Sequence, residues 1–408
     1  MRVLYLCHRI PYPPNKGDKI RAFHQLRAIA ARHEVDVFTL ADDARDLAFR
    51  EPLSAYCHQL TVARVHPKLA RLRALPFLLT RQPLTVPYFH SAELQAGVTR
   101  AIRECSYDRI FVYSSAMAQY VDWAGGKIPV LMDFVDVDSD KWTQYATFTR
   151  FPFSAIYRRE GKCLEAYERR ACARSACVIL TTAREAELLL RIAPGTRVHV
   201  VSNGVDTAYF DPEAVAPRRT APTVIFTGDM SYFPNQEAVT YFAREVLPSI
   251  QRSIPEARFL IVGRDPSREV LELGKTRGVE VTGFVPDVRT YLAQAHVAVA
   301  PFSIAAGIQN KILEAMAYGL PVVATARTAQ GLSPAVADLV DTADTAEEMA
   351  AKVVRLLQDV RFAQRKGTEG RHRVAAEYRW EQSLDRLLQL LENPAVTELP
   401  RPAQATLP

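Results

Sequence analysis

The most chemically suggestive stretch of the sequence runs from Val297 to Thr325, VAVAPFSIAAGIQNKILEAMAYGLPVVAT, and reads as strand, loop, helix, strand. Gly307 lets backbone amides approach a ligand closely, Gly319 followed by Pro321 stops the helix, and Val322 opens the next strand. The spacing predicts a helix starting near Gly307 with its amino end aimed at a cleft. Such an end binds anions through its free amides and dipole, and Lys311, in the first turn or so, adds a full charge for a diphosphate. Glu314 is placed two turns in, where its carboxylate can accept both hydroxyls of a ribose. A nucleoside diphosphate sugar fits this pair; a surface Lys and Glu on an ordinary amphipathic helix is the alternative.

Two further segments fit the lining of a cleft. Pro11 to Arg21 (PYPPNKGDKIR) follows the first apolar run directly, and Gly17 can admit a diphosphate beside a helix beginning near Asp18, unless the segment is a plain turn with a helix cap. Gly283-Phe284-Val285 follows a strand and can hold a base through backbone hydrogen bonds; an ordinary turn fits it equally well.

Positioning these segments requires a regular scaffold. Short β-branched runs recur at Val3–Cys7, Val35–Leu40, Ile110–Tyr113, Val130–Asp133 and Val178–Thr181, then at Val224–Thr227, Phe259–Val262, Val279–Thr282, Val297–Ala300 and Val322–Thr325. Helical spacing separates them, so parallel sheets covered on both faces are expected. Asp211 to Pro222 carries Pro212, Pro217 and Pro222 and no apolar period, which makes it a linker. The predicted organisation is α/β: a Rossmann-like domain over 1–210, a linker over 211–222, and a second Rossmann-like domain over 223–379. A helix over 380–393 is expected to pack back on the first half, followed by a disordered tail over 394–408. Ligands bind at the carboxyl ends of such strands, so the site is expected where the halves face each other.

With 408 residues, 48% hydrophobic and 24% charged, the chain is neither disordered nor fibrous, and it is too long for one small module. The formal charge of +6 is too mild to argue for nucleic acid. Its distribution is uneven: Pro52 to Ala92 holds no acidic residue but carries Arg64, Lys68, Arg71, Arg73 and Arg81, interleaved with Leu69, Leu72, Leu75 and the run Phe77 to Leu79. Residues 64–81 are therefore either a solvated basic helix packing its leucines on its own domain or an amphipathic segment lying on an anionic membrane surface. No apolar run reaches the roughly 18 residues of a spanning helix, and Val3 to Cys7 is too short for a secretion signal, so a cytoplasmic chain is expected, with peripheral attachment to the inner membrane left open. The six cysteines form no CxxC pair and are expected to be buried thiols.

Taken together, several motifs resemble glycosyltransferase family four, retaining enzymes of GT-B fold, and most closely the sugar transferases of PEP-CTERM/exosortase exopolysaccharide systems. The residues carrying the likeness are Pro11 to Arg21, Asp133-Phe-Val-Asp136-Val-Asp138-Ser-Asp-Lys141-Trp142, Ser202-Asn-Gly-Val-Asp206, Gly228-Asp229-Met-Ser-Tyr-Phe-Pro-Asn235, Gly283 to Arg289, and Lys311 to Pro321. The resemblance ties Glu314 to the nucleotide ribose. The family's first glutamate, eight positions earlier and tied to the transferred sugar, is replaced by Ala306. Sugar recognition must then use other groups, such as the amides of Gly307, Ile308 and Gln309. The family's Arg and Lys pair near the first strand of the second half is also missing; Gly228, Asp229 and Asn235 stand there, leaving Lys311 and Arg264 to carry the phosphate charge.

The resemblance places the loop after Asp133 on the acceptor side. Asp136 is thus the expected residue for orienting or deprotonating the acceptor hydroxyl, with Asp138 and Lys141 in support; carboxylates capping the next helix or pairing with Lys141 are the alternative. Asp136-Val137-Asp138 also has the form of a DxD metal site, but no metal is expected, because Lys311 and the helix end already neutralise the phosphates. The expected activity is transfer of a hexosyl unit from a nucleoside diphosphate sugar, a co-substrate, to a glycan or polyprenyl-diphosphate-linked acceptor, with no further cofactor and no nucleic acid. A nucleotide-sugar epimerase and a non-catalytic sugar-nucleotide-binding partner protein are the rivals.

Overall fold

Every β-branched run forms a strand, and the strands assemble into two all-parallel sheets whose central strands are buried on both faces because helices cover them. The computed structural model describes residues 1–121, 128–216 and 220–394. The chain divides into two units, one comprising 1–201 and the segment from Leu384 onward, the other Ser202–Ser383.

The first sheet contains β1 (Arg2–Cys7), β2 (Glu34–Ala41), β3 (Gln59–Arg64), β4 (Arg109–Tyr113), β5 (Val130–Val135), β6 (Cys177–Leu180) and β7 (Val198–Val200), in the order β3-β2-β1-β4-β5-β6-β7. The second contains β8 (Thr223–Thr227), β9 (Arg258–Val262), β10 (Val279–Gly283), β11 (Val297–Ala300), β12 (Val322–Ala324) and β13 (Asp341–Thr342), in the order β10-β9-β8-β11-β12-β13. Both are doubly wound, as expected for GT-B. The order reverses between β1 and β4 in the first sheet and between β8 and β11 in the second. Loops leaving these central strands diverge to opposite faces, which opens a crevice at their carboxyl ends.

Seven helices matter below: α1 (Gly17–Ala30), α2 (Pro67–Ala74), α3 (Asp138–Phe148), α4 (Phe153–Cys172), α5 (Ala183–Ile192), α6 (Asn310–Ala317) and α7 (Trp380–Glu392). The first core gathers Leu4, Leu6, Val112, Met132 and Val178 with helix residues such as Leu94 and Leu189; the second gathers Phe226, Phe259, Ile261, Val299 and Val323 with Leu313 and Met316. From Leu384 onward α7 belongs to the first unit, where Arg109 Nε donates to the Leu391 carbonyl at 2.9 Å.

Strands β3, β7 and β13 carry no clear sequence signal. Each is an edge strand paired on one side only, so its alternation is weak, and two of them are three residues or fewer. Residues 217–219 of the expected linker and the expected tail from 395 lie outside the described residues.

Candidate functional site

In the second unit the loops bordering the reversal point carry the predicted phosphate residues. Helix α6 begins at Asn310, three residues later than the spacing predicts, because Gly307 takes a left-handed φ of 57° and Gln309 is extended. Glu314 is therefore one turn into the helix rather than two. No side chain caps this amino end; Ile312 N donates to the Gln309 carbonyl at 2.9 Å, while the amides before it in a first helical turn have no acceptor within the helix. Asn310 Oδ1 accepts from Asn203 Nδ2 at 2.8 Å, which ties the helix start to the Ser202–Asp206 motif.

Lys311 turns inward rather than into solvent. Its Nζ donates to Asn235 Oδ1 at 2.7 Å and lies 4.4 Å from the ring centres of both Phe226 and Phe302. Burial is the main influence on its pKa and pushes it down to about 7, against the opposing pull of Glu314 and Asp229. Burial likewise pushes Glu314 up to about 7, against the attraction of Lys311. An anion beside this half-buried amine would favour its charged form.

Asn235 is itself held by its Nδ2 donating to the Asp229 carbonyl at 2.7 Å. A Cβ on Gly228 would stand 3.2 Å from Lys311 Nζ, and one on Gly263 would collide with the Gly228 carbonyl oxygen. These two positions need glycine because the loops after β8 and β9 touch through their backbones. Arg264 pairs with Asp229 at 3.2 Å, while Ser231 N and Oγ donate to the other carboxylate oxygen at 2.9 and 2.6 Å. Arg264 is thus already neutralised by Asp229, and of the two predicted phosphate cations Lys311 is the one without a carboxylate in an ion pair. Gly283 has a φ of 70° with open space where a Cβ would stand; Phe284 is exposed and Val285 packs partly on the core. Gly307 and Ile308 belong to the loop entering α6, and Ile308 also leans on the core.

In the first unit, Gly17 opens α1 with nothing within 4 Å of where a Cβ would be. The Asp18 carboxylate takes Arg9 Nη1 at 2.9 Å and lies 3.5 Å from His8 Nε2. Burial alone would raise its pKa, but the His8 hydrogen bond and the Arg9 charge hold it well below the usual carboxylate range. This carboxylate therefore organises the end of β1.

The end of β5 and the loop after it are held by several side chains from distant parts of the unit. Val135 has a φ of 68°, a conformation costly for a β-branched residue. Four groups enforce it. Asp133, fully buried, accepts from Arg21 Nε at 2.8 Å, Gln25 Nε2 at 2.5 Å and Val135 N at 2.9 Å. Thr181 Oγ1 donates to the Val135 carbonyl at 3.0 Å, Glu185 of α5 takes Val137 N at 2.7 Å, and Glu168 of α4 takes Ser139 N at 3.1 Å. Strain held this firmly is characteristic of working loops.

Asp136 emerges from this loop accepting from Thr181 Oγ1 at 3.2 Å; burial first, and then Asp138, raise its pKa against the pull of Lys141. Such a carboxylate is a better proton acceptor than an exposed one. Asp138 accepts from Ser115 Oγ at 2.8 Å and lies 3.6 Å from Lys141 Nζ, a helical pair one turn apart. The pairing alternative therefore holds for Asp138 and Lys141, which brace the start of α3, while Asp136 stands apart from it.

Sequence reasoning missed the supports. Glu160 and Glu168 sit at four-residue spacing with Leu164 and Cys172 on the buried face of α4, and acidic residues inside an apolar stripe were the available signal. Among the described residues, Glu34, Asp36 and His58 form one cluster with metal-ligand atoms in range. Arg2 already occupies it, at 3.2 Å from Glu34 and 2.8 Å from Asp36.

Comparisons with known proteins agree with this architecture. The family described as "Glycosyl transferase 4-like domain" matches residues 19–204, and "Glycosyl transferases group 1" matches 221–359. A phosphatidylinositol N-acetylglucosaminyltransferase chain of Arabidopsis thaliana is 30% identical over 156 residues, which is 36% of this chain and 34% of that protein. Glycogen synthase of Mycobacterium tuberculosis is 28% identical over 212 residues, 48% of each. The chain thus spans between a third and a half of the curated relatives it matches. Among solved structures, sucrose-phosphate synthase from Thermosynechococcus elongatus superposes with a TM-score of 0.72 at 20% identity, covering 96% of this chain and 98% of that one. Anabaena HepE in complex with UDP-glucose gives 0.65 at 16% identity, covering 96% and 99%. With both domain types in sequence and both sheets of GT-B form, the chain belongs to the family four glycosyltransferases.

Proposed function

We propose that the second unit binds a nucleoside diphosphate sugar and that the chain transfers its hexosyl unit to a glycan acceptor carried on a polyprenyl diphosphate, in exopolysaccharide assembly. The observation carrying this reading is Lys311: an amine set at an uncapped helix end, between two aromatic rings and Asn235. The HepE structure with UDP-glucose, of the same fold, supports a donor of this class. The sugar-transferase resemblance supports the exopolysaccharide role, and the basic stretch 64–81 supports an acceptor met at a membrane.

In this reading the bond from the anomeric carbon to the diphosphate oxygen breaks as the acceptor oxygen attacks the same face, so configuration is retained. The acceptor proton passes to the departing diphosphate oxygen. Charge growing on that diphosphate is stabilised by Lys311, charged once the anion is bound, and by the first amides of α6. Asp136 orients the acceptor hydroxyl. Glu314 holds the ribose hydroxyls. No metal is called on.

The test is a thermal-shift screen of nucleoside diphosphates and their sugars, followed by transfer assays on a lipid-linked acceptor. Lys311→Ala and Glu314→Ala should each weaken donor binding, whereas Asp136→Ala should keep binding and abolish transfer. Normal nucleotide binding by Glu314→Ala would end the ribose assignment. Tight binding with no turnover on any acceptor would favour a non-catalytic partner, and interconversion of the sugar without acceptor would favour an epimerase.

A further inference from the structure

Two separate segments of the first unit expose large apolar side chains, and both lack acidic residues. The first is α2 with the turn after it, where Leu69, Leu72, Leu75 and Leu79 are exposed, Leu79 at 94%. The leucines therefore do not pack on their own domain. The second is the corner between α3 and α4, where Phe148, Phe151 and Phe153 are exposed, Phe151 at 83%. Residues 141–159 contain no Asp or Glu and carry exposed Arg150 and Arg158, just as 52–92 contain none and carry exposed Arg64, Lys68, Arg71, Arg73 and Arg81.

One residue fastens these segments together. Arg159 of α4 donates through Nε to the Leu78 carbonyl at 3.1 Å and through Nη2 to the carbonyls of Phe77, Thr80 and Gln82 at 2.6, 2.5 and 2.9 Å. The next residue, Glu160, accepts from Leu84 N at 2.7 Å and Thr85 N at 2.9 Å. Phe153 lies six residues before Arg159, about 9 Å along the helix. The α3–α4 corner and the leucine turn thus lie on either side of one part-buried knot, about two helical turns apart.

We infer that this two-part surface, and not the 64–81 stretch alone, docks the protein on an anionic lipid bilayer, with the phenylalanine corner as its second apolar anchor. The inference deepens the proposed function by giving membrane contact a second element, and it rests on that reading only for its purpose. Charge complementarity selects the occupant: seven exposed cations and no acid among exposed leucines and phenylalanines suit anionic headgroups over acyl chains. A second copy of this chain would bring the same cations face to face.

The experiment is flotation of the full chain with vesicles of phosphatidylcholine alone and of phosphatidylcholine mixed with phosphatidylglycerol. No sugar donor or acceptor is present, so failure of glycosyl transfer cannot affect the result. Binding is expected to the anionic vesicles and to fall with salt. The double variant Lys68→Glu/Arg71→Glu should weaken binding at least ~20-fold, at roughly five-fold per charge removed. Phe151→Ser/Phe153→Ser should weaken it about ten-fold or more, as should Leu69→Ser/Leu72→Ser. All six positions are exposed, so unchanged circular dichroism and melting certify the fold. Equal binding to neutral vesicles, or none to anionic ones, would overturn the proposal. Full binding by the phenylalanine variant would confine docking to 64–81 and overturn the two-part surface. A concentration-dependent dimer abolished by the same substitutions would assign the face to self-association instead.

Discussion

Donor binding should weaken steeply above neutral pH because Lys311 has to be charged to meet the diphosphate. In the ligand-free protein burial holds this amine down to about 7, from an ordinary 10.5, between Phe226 and Phe302. A sugar diphosphate has no ionisation of its own near neutrality, so a proton taken up on binding belongs to the protein. At about pH 9, two units above that value, only ~1% of the molecules carry the charge, and affinity should be ~100-fold below its plateau, or about 3 kcal/mol. Glu314 works in the opposite direction. Burial raises it to about 7, so it loses its charge as the pH falls through that value, and affinity should also decline on the acid side. Titration calorimetry of a sugar nucleotide in buffers of different ionisation enthalpy measures both the slope and the proton uptake. Lys311→Arg should flatten the alkaline limb, since a guanidinium stays charged, and Glu314→Gln should flatten the acid limb. A wild-type affinity unchanged between about pH 6 and about pH 9, with no proton uptake, would refute this account of Lys311.

Glu168 gives a second pH effect, on stability. Its pKa is raised to about 8, chiefly by burial, so its contribution is fully present below the unfolded value of 4.5 and is lost as pH rises through about 8. Thermal melts of Glu168→Gln should therefore show a gain over the natural chain on the alkaline side, with ~5 kcal/mol as the ceiling; parallel pH profiles for the two proteins would contradict it. Gly263→Ala drives a methyl group into the Gly228 carbonyl, so the loops after β8 and β9 must part. Chemical denaturation should show a loss of roughly 3 kcal/mol or more, together with weakened donor binding, and a stability within error of the natural chain would discard the close-approach argument.

The strands facing both layers of helices were legible because burial on two sides leaves an unbroken apolar run, as in Val297 to Ala300. Of the four edge strands only Val279–Gly283 was; Gln59–Arg64, Val198–Val200 and Asp341–Thr342 are paired on one side and carry no such run. Lys311 and Glu314 could be read from helix spacing, but the helix start could not: Gly307 signals a turn without saying how many residues follow before helical backbone resumes. Arg264 looked available because nothing in the sequence shows that Asp229, 35 positions earlier, reaches it. The supports of Asp136 are long-range contacts of the same kind, joining Arg21, Thr181, Glu168 and Glu185 to a few residues after β5. Pairing over more than a hundred positions, as between Arg21 and Asp133, leaves no periodic trace.

That last ion pair limits how the protein can be altered. Arg21 is 1% exposed, and its partner closes the strand that leads to Asp136, so the helix after β1 and the loop after β5 form one mechanical piece. Grafting the Asp133–Lys141 loop from a relative with another acceptor preference would import a segment without its anchor. Transplants meant to change what is glycosylated should carry the Pro11–Gln25 segment with them.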